Sequence, residues 1–164
     1  MKEASSLNLS NDVEQAASLF ESMHGSDQRV LWVAGGSAAY RSGIVMGLAD
    51  KIRVPFLDIG KTLSAALLDV SPNLRPVSVE DCFYDLLDAG EGATRCLDLL
   101  DILFEETLLI DAVSLIHASS RRYRIVASWP GHADGDKLFY APSEHPSHVE
   151  FQPAKFGGNF YLAS

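Results

Sequence analysis

The chain has 164 residues, enough for one domain that buries about 70% of the surface its unfolded form exposes. Its formal net charge of −9 opposes the polyanionic backbone of nucleic acid and disfavours a broad DNA-binding face on the isolated monomer. No apolar run reaches the ~18 residues of a membrane span, and residues 1–6 lack the apolar core of a secretory signal, so the expectation is a cytoplasmic protein with Cys82 and Cys96 reduced.

Residues 1–9 are small and polar and are expected to fray. Asn11 to Met23 predicts an amphipathic helix, because Val13, Ala16, Ala17, Phe20 and Met23 recur at helical spacing and Gly25 follows. Val30-Leu31-Trp32-Val33-Ala34 is a continuous apolar run, as suits a strand covered on both faces of a parallel sheet. Trp32 is therefore a core residue rather than a cofactor platform. Ser42 to Lys51 predicts a helix that Gly43 and Gly47 each weaken by about 1 kcal/mol relative to Ala. A short strand follows at Val54–Asp58, with Pro55 near its start, and then a compact helix at Leu63–Leu68.

Ser78 is placed to cap the next helix, with Asp81 reaching back to it and Gly90 and Gly92 closing the far end. Ala93–Leu97 predicts a third strand, followed by Asp98. Ile102 to Ala118 reads as a long apolar helix or helix pair. Tyr123–Trp129 is a fourth strand, Lys137–Tyr140 a fifth, and the segment after Pro142 is expected to be irregular. Strands alternating with helices imply a single α/β domain of three layers around a mostly parallel sheet of about five strands. Ligands on such sheets bind at the carboxyl ends of the strands.

One such end carries the chain's most suggestive motif. Gly35-Gly36-Ser37-Ala38-Ala39-Tyr40-Arg41-Ser42 matches the phosphate-loop pattern G-x-x-x-x-G-K-[ST] at Gly35 and Ser42. In that pattern the backbone amides surround a phosphate, a Lys reaches its outer oxygens and the hydroxyl binds Mg²⁺. Here Arg41 keeps the charge in a larger, planar group, and Tyr40 stands where Gly supplies unusual backbone angles. The loop is read as a cradle for ATP or ADP with Mg²⁺, weakened at two positions and crowded by the phenol. The first strand is expected beside the one ending in Asp98.

A Mg²⁺ held through water needs a carboxylate at a neighbouring strand end. Asp98 and Asp111 both follow apolar runs; the glycines before its strand favour Asp98, whereas Asp111 reads better as a solvated helix residue. Asp101 is a candidate base for water, Ser128 a candidate phosphate contact, and Arg121 a candidate stabiliser of phosphoryl charge across a subunit interface. Arg121, Arg122 and Arg124 lie almost together, while Arg41, Lys51 and Arg53 are read as surrounding the loop. Glu144-His145-Pro146-Ser147-His148 matches no zinc spacing and reads as loop.

Around these residues the sequence resembles the BrxF family, small P-loop-containing proteins of type 3 BREX bacteriophage-defence systems. The strongest match is Arg124-Ile125-Val126-Ala127-Ser128-Trp129-Pro130-Gly131, continuing through Asp134-Gly135, Leu138, Tyr140 and His145-Pro146. Leu97-Asp98-Leu99-Leu100-Asp101-Ile102-Leu103-Phe104 resembles the family's Walker B region, and Ser120-Arg121 the segment before the fourth strand. The resemblance spans roughly residues 28–151. It implies a P-loop NTPase-like fold with AAA+/ASCE-type strand order and an accessory role beside larger defence proteins: an ATPase, a methyltransferase and a phosphatase-like protein. The family's loop ends in G-K-[ST]; this chain has Tyr40-Arg41-Ser42. Three readings follow: a weakly binding or non-hydrolysing subunit that acts by assembly with itself or its partners, an active Mg²⁺-dependent ATPase that needs a partner, and a module touching DNA only through an assembly.

Overall fold

The computed structural model describes residues 2–163. Five strands form a wholly parallel central sheet: β1 (Val30–Ala34), β2 (Phe56–Asp58), β3 (Thr94–Asp98), β4 (Arg124–Ser128) and β8 (Gly158–Leu162). Their order is β2-β3-β4-β1-β8. β1 pairs with β4, Val30 opposite Ile125, and with β8, Val30 opposite Gly158. The first strand is therefore not beside the strand ending in Asp98: β4 stands between them. All five β1 residues are buried, as their continuous apolar run requires. Val30, Trp32 and Ala34 face one core, Leu31 and Val33 the other.

Helices α1 (Lys2–Ser22) and α2 (Ala38–Ile52) cover one face of the sheet. Helices α3 (Ile59–Leu68), α4 (Arg75–Asp88) and α5 (Ala112–Ser119) cover the other, giving three layers. The glycines that weaken α2 have a packing reason. A Cβ at Gly47 would lie 2.8 Å from Val13, and one at Gly43 would lie 3.3 Å from Leu9. Leu9 and Val13, four residues apart on one face of α1, sit in the trough the glycines leave. α1 starts at Lys2, so residues 2–9, expected to fray, are helical; Met1 lies outside the described residues.

Three further elements depart from expectation. The segment after Pro142 is not irregular. It contains β7 (Val149–Phe151), a 3-10 turn (Pro153–Phe156) and β8, the fifth parallel strand. Lys137–Tyr140 is a strand, β6, but it lies between β5 (His132–Asp134) and β7 in a second, antiparallel sheet. The helix expected over Ile102–Ala118 is instead two 3-10 turns, Leu100–Phe104 and Glu106–Leu108, followed by α5. Leu109 takes a left-handed φ of 54°, and Asp111 caps α5 by accepting from Ser114 N at 3.0 Å, so Asp111 is a helix start rather than a mid-helix residue. Ser78 likewise lies inside α4, which begins at Arg75 with Pro76 in its first turn.

The α4–β3 connection is filled by Arg95, 2% exposed. Its Nε donates to Leu87 O at 2.7 Å, its Nη1 to Glu91, Gly92 and Thr94 carbonyls, and its Nη2 to Gly90 O at 2.8 Å. The guanidinium lies 4.1 Å from the Tyr123 ring centroid. It satisfies carbonyls at and just beyond the end of α4, where the helix dipole favours a cation.

Candidate functional site

The turn leaving β1 is short. Gly35 and Gly36 adopt left-handed φ values of 80° and 60°, and Ser37 caps α2, its Oγ accepting from Tyr40 N at 3.1 Å. A side chain at Gly35 would also meet the Ala163 carbonyl of the β8 end at 2.9 Å. Because α2 begins at Ala38, only residues 35–37 of the eight-residue motif are loop. The amides that would wrap a phosphate are largely drawn into the helix, and one of its open donors is met by Ser37.

Arg41 completes the closure. Its Nη1 donates to Gly35 O at 3.1 Å and to Gly36 O at 2.8 Å, and the residue is 8% exposed. Burial lowers its pKa from the ordinary arginine value, and the carboxylates of Asp101 and Asp98 pull it back up. Opposite it, Asp98, 3% exposed at the end of β3, accepts a hydrogen bond from Ser128 Oγ at the end of β4. Asp101 approaches from the first 3-10 turn, after Leu99 makes a left-handed step of φ 55°.

The structure thus gathers Ala38, Arg41, Ser42, Asp98, Asp101 and Ser128 around one pocket of about 50 Å³. That is well below the several hundred Å³ of an ordinary ligand site. Ser42 and Asp98 share this pocket, with the Arg41 guanidinium turned back onto the loop carbonyls beside them. Ala39 is exposed on the first turn of α2.

Tyr40 does not crowd the pocket. Its ring lies over Gly36, and its hydroxyl turns to α1 and donates to Asp12 Oδ2 at 2.5 Å. Tyr161 of β8 donates to the other oxygen of Asp12, also at 2.5 Å, and burial with this bond raises the Tyr161 pKa well above the ordinary phenol value. Asp12 is 2% exposed. The sequence reading missed this network, although its signal was present: Asp12 falls at core spacing with Ala16 and Phe20 on the apolar stripe of α1.

Other predicted residues lie apart. Arg121 follows α5 at the opposite, amino-terminal edge of the strands, where it lines a cleft of about 750 Å³ with Asp27, Arg29 and His117. Lys51 and Arg53 do not surround the loop. They stand at the far end of α2, a helix about 22 Å long, with Lys51 2.8 Å from Glu14. In the arginine triplet, Arg122 pairs with Asp88 at 3.2 Å, while Arg124 turns inward over the Phe20 ring and donates to its carbonyl.

Among the described residues, no group of three or more His, Cys, Asp and Glu side chains is arranged to hold a metal ion, and no helix is long and apolar enough to cross a membrane. Comparisons of the chain with protein-family models, with curated proteins and with solved structures find no match.

Proposed function

We propose that the chain is a P-loop NTPase-like domain whose phosphate site is filled by its own Arg41, and that it acts by assembling with itself or with partner proteins rather than by turning over nucleotide. Counting only the parallel strands in chain order, the sheet runs 5-1-4-3-2 from β8 to β2. The degenerate loop follows the first, Asp98 ends the third and Ser128 ends the fourth, with the fourth standing between the first and the third. The observation that carries the proposal is the Arg41 guanidinium bonded to the Gly35 and Gly36 carbonyls beside Asp98 and Asp101. A cation belonging to the chain stands where a bound phosphate and its counter-ions would need room.

The setting we propose is cytoplasmic, as an accessory subunit of a BREX-type antiphage system. This rests on the BrxF-like residues 97–104 and 124–131. Of the arginines behind the DNA reading, Arg124 is turned into the fold, Arg122 pairs with Asp88 at the surface and Arg121 lines the cleft at the amino-terminal edge of the strands. Calorimetric titration with ATP and with ADP, each with and without Mg²⁺, tests the proposal. The expected result is no binding heat at nucleotide concentrations up to the millimolar range, about −4 kcal/mol in binding free energy. Saturable binding, or hydrolysis that Asp98→Asn abolishes, would overturn it in favour of the active ATPase.

A further inference from the structure

We propose that the groove between the two 3-10 turns before α5 and the open edge of β7 binds an extended segment of a partner protein, one in which apolar residues alternate with lysine or arginine. The proposal rests on the assembly reading above and not on the Arg41 pocket, with which the groove shares no residue. Nucleotide binding would overturn the Arg41 reading and leave the groove standing; failure of the experiment below would do the reverse. The groove is a cleft of about 570 Å³, an ordinary size for a binding site. It runs into a neighbouring cleft of about 460 Å³ that shares Phe104, Glu105, Glu106, Pro146 and Ser147. Leu103 and Phe104 are buried at its base, and Leu109, Ile110 and Val149 add apolar wall.

The groove is acidic along its rim. Glu105, Glu106, Asp111 and Glu150 are exposed there, and no lysine or arginine lines it. Asp111 is taken up by Ser114, and Glu150 by Lys137 of β6 at 2.7 Å. Glu105 and Glu106 form no ion pair among the described residues. Their field reaches the groove wall: burial first, then the Asp101 and Glu105 carboxylates, raise the Tyr140 pKa above the ordinary phenol value. The histidines of the groove turn to their own loop, His145 accepting from Ser147 N at 3.0 Å and His148 Nδ1 lying 2.9 Å from Ala141 O. The complementary partner is therefore cationic. A second copy of this chain, also at −9, is repelled.

Two further features fix the form of the partner. β7 has a neighbouring strand, β6, on one side only. Successive strand residues point to opposite faces, yet Val149 and Glu150 both line the groove, so the groove meets β7 at its edge. Such an edge offers main-chain donors and acceptors to an extended chain. The second feature is Leu109. At 81% it is the most exposed large apolar side chain among the described residues, and it holds a left-handed φ of 54° that bulky side chains avoid. Asn would suit both the solvent and that backbone better. Leu is thus unfavourable here on two counts in the free chain, and burial against a partner removes one of them.

Fluorescence anisotropy tests the groove, with the whole chain titrated into a fluorescein-labelled nonapeptide of alternating lysine and leucine. Saturable binding is expected at about 0.1 M salt. A peptide of the same charge with glycine in place of leucine should bind about tenfold more weakly. Glu105→Gln with Glu106→Gln should weaken binding about tenfold, and Glu80→Gln with Asp81→Asn, the same change of charge on exposed positions of α4, by less than about twofold. Leu109→Asn should weaken it about fivefold with no fall in the urea midpoint, a pairing that a merely structural Leu109 would not give. Absence of saturation, equal binding of the glycine peptide, or equal weakening by the two double variants would each overturn the proposal. So would a Leu109→Asn chain that binds as before or unfolds earlier. A dimer of the chain alone in sedimentation, dissolved by Leu109→Asn, would give the groove to a second copy and refute it too. Should the Glu105 and Glu106 variant fail to fold, the wild-type amide shifts on adding the lysine-leucine peptide decide. Changes centred on residues 105–110 and 146–150 are expected, and changes centred elsewhere would refute the groove.

Discussion

Arg95 and Arg41 each fill a turn of this protein, and the two turns differ in what else stands there. In the turn after α4, Arg95 bonds five carbonyls and rests on an aromatic ring, with no carboxylate among its bonded partners. In the turn after β1, Arg41 bonds two carbonyls and feels two carboxylates, with the hydroxyls of Ser42 and Ser128 on the same small pocket. The first turn uses its cation to finish a helix. The second has more acidic and hydroxyl chemistry than closing a turn demands. An arginine turned onto backbone carbonyls therefore does not mark a site by itself; the carboxylates and hydroxyls beside it are what separate the two cases.

Substitution can break or sharpen that contrast. The largest effect belongs to Arg95→Ala, which removes a buried side chain and leaves the buried Leu87 carbonyl and four part-buried ones without their donor, and should lower unfolding free energy by about 3–5 kcal/mol. Urea unfolding followed by Trp32 and Trp129 fluorescence would measure it. Arg41→Ala removes two carbonyl bonds at a helix start and should cost about 1–2 kcal/mol in the same assay. Equal losses at both positions would mean that Arg41 is as purely structural as Arg95, and the contrast would fail. The smallest effect is expected at Arg122→Ala, whose pairing with Asp88 is exposed on both sides. There the loss should stay under about 1 kcal/mol and shrink further in high salt.

Much of the frame was legible because it is written in local pattern. The buried run at β1, the strands ending at Asp98 and Ser128, and the core role of Trp32 each follow from apolar continuity beside glycine or polar punctuation. Long-range partnership was harder to read. Gly-Asn-Phe-Tyr-Leu carries a weak strand signal alone, and becomes β8 only because β1 offers an open edge and His117 fixes the approach. The seats of Leu9 and Val13 of α1 are likewise made by glycines more than thirty residues later, which no local pattern shows. The motif residues were found, but their conformation was not. Nothing in Tyr40-Arg41-Ser42 says that the phenol will turn away to Asp12 while the guanidinium turns back onto the loop.

The self-bonded Arg41 has one more consequence. If Arg41 fills the site as proposed, a counter-charge joined covalently to it has no dissociation rate and no concentration dependence, so it cannot mark time. If a complex built with this subunit moves through ordered stages, the signal that advances each stage must come from another member, and this domain would hold the same state before and after.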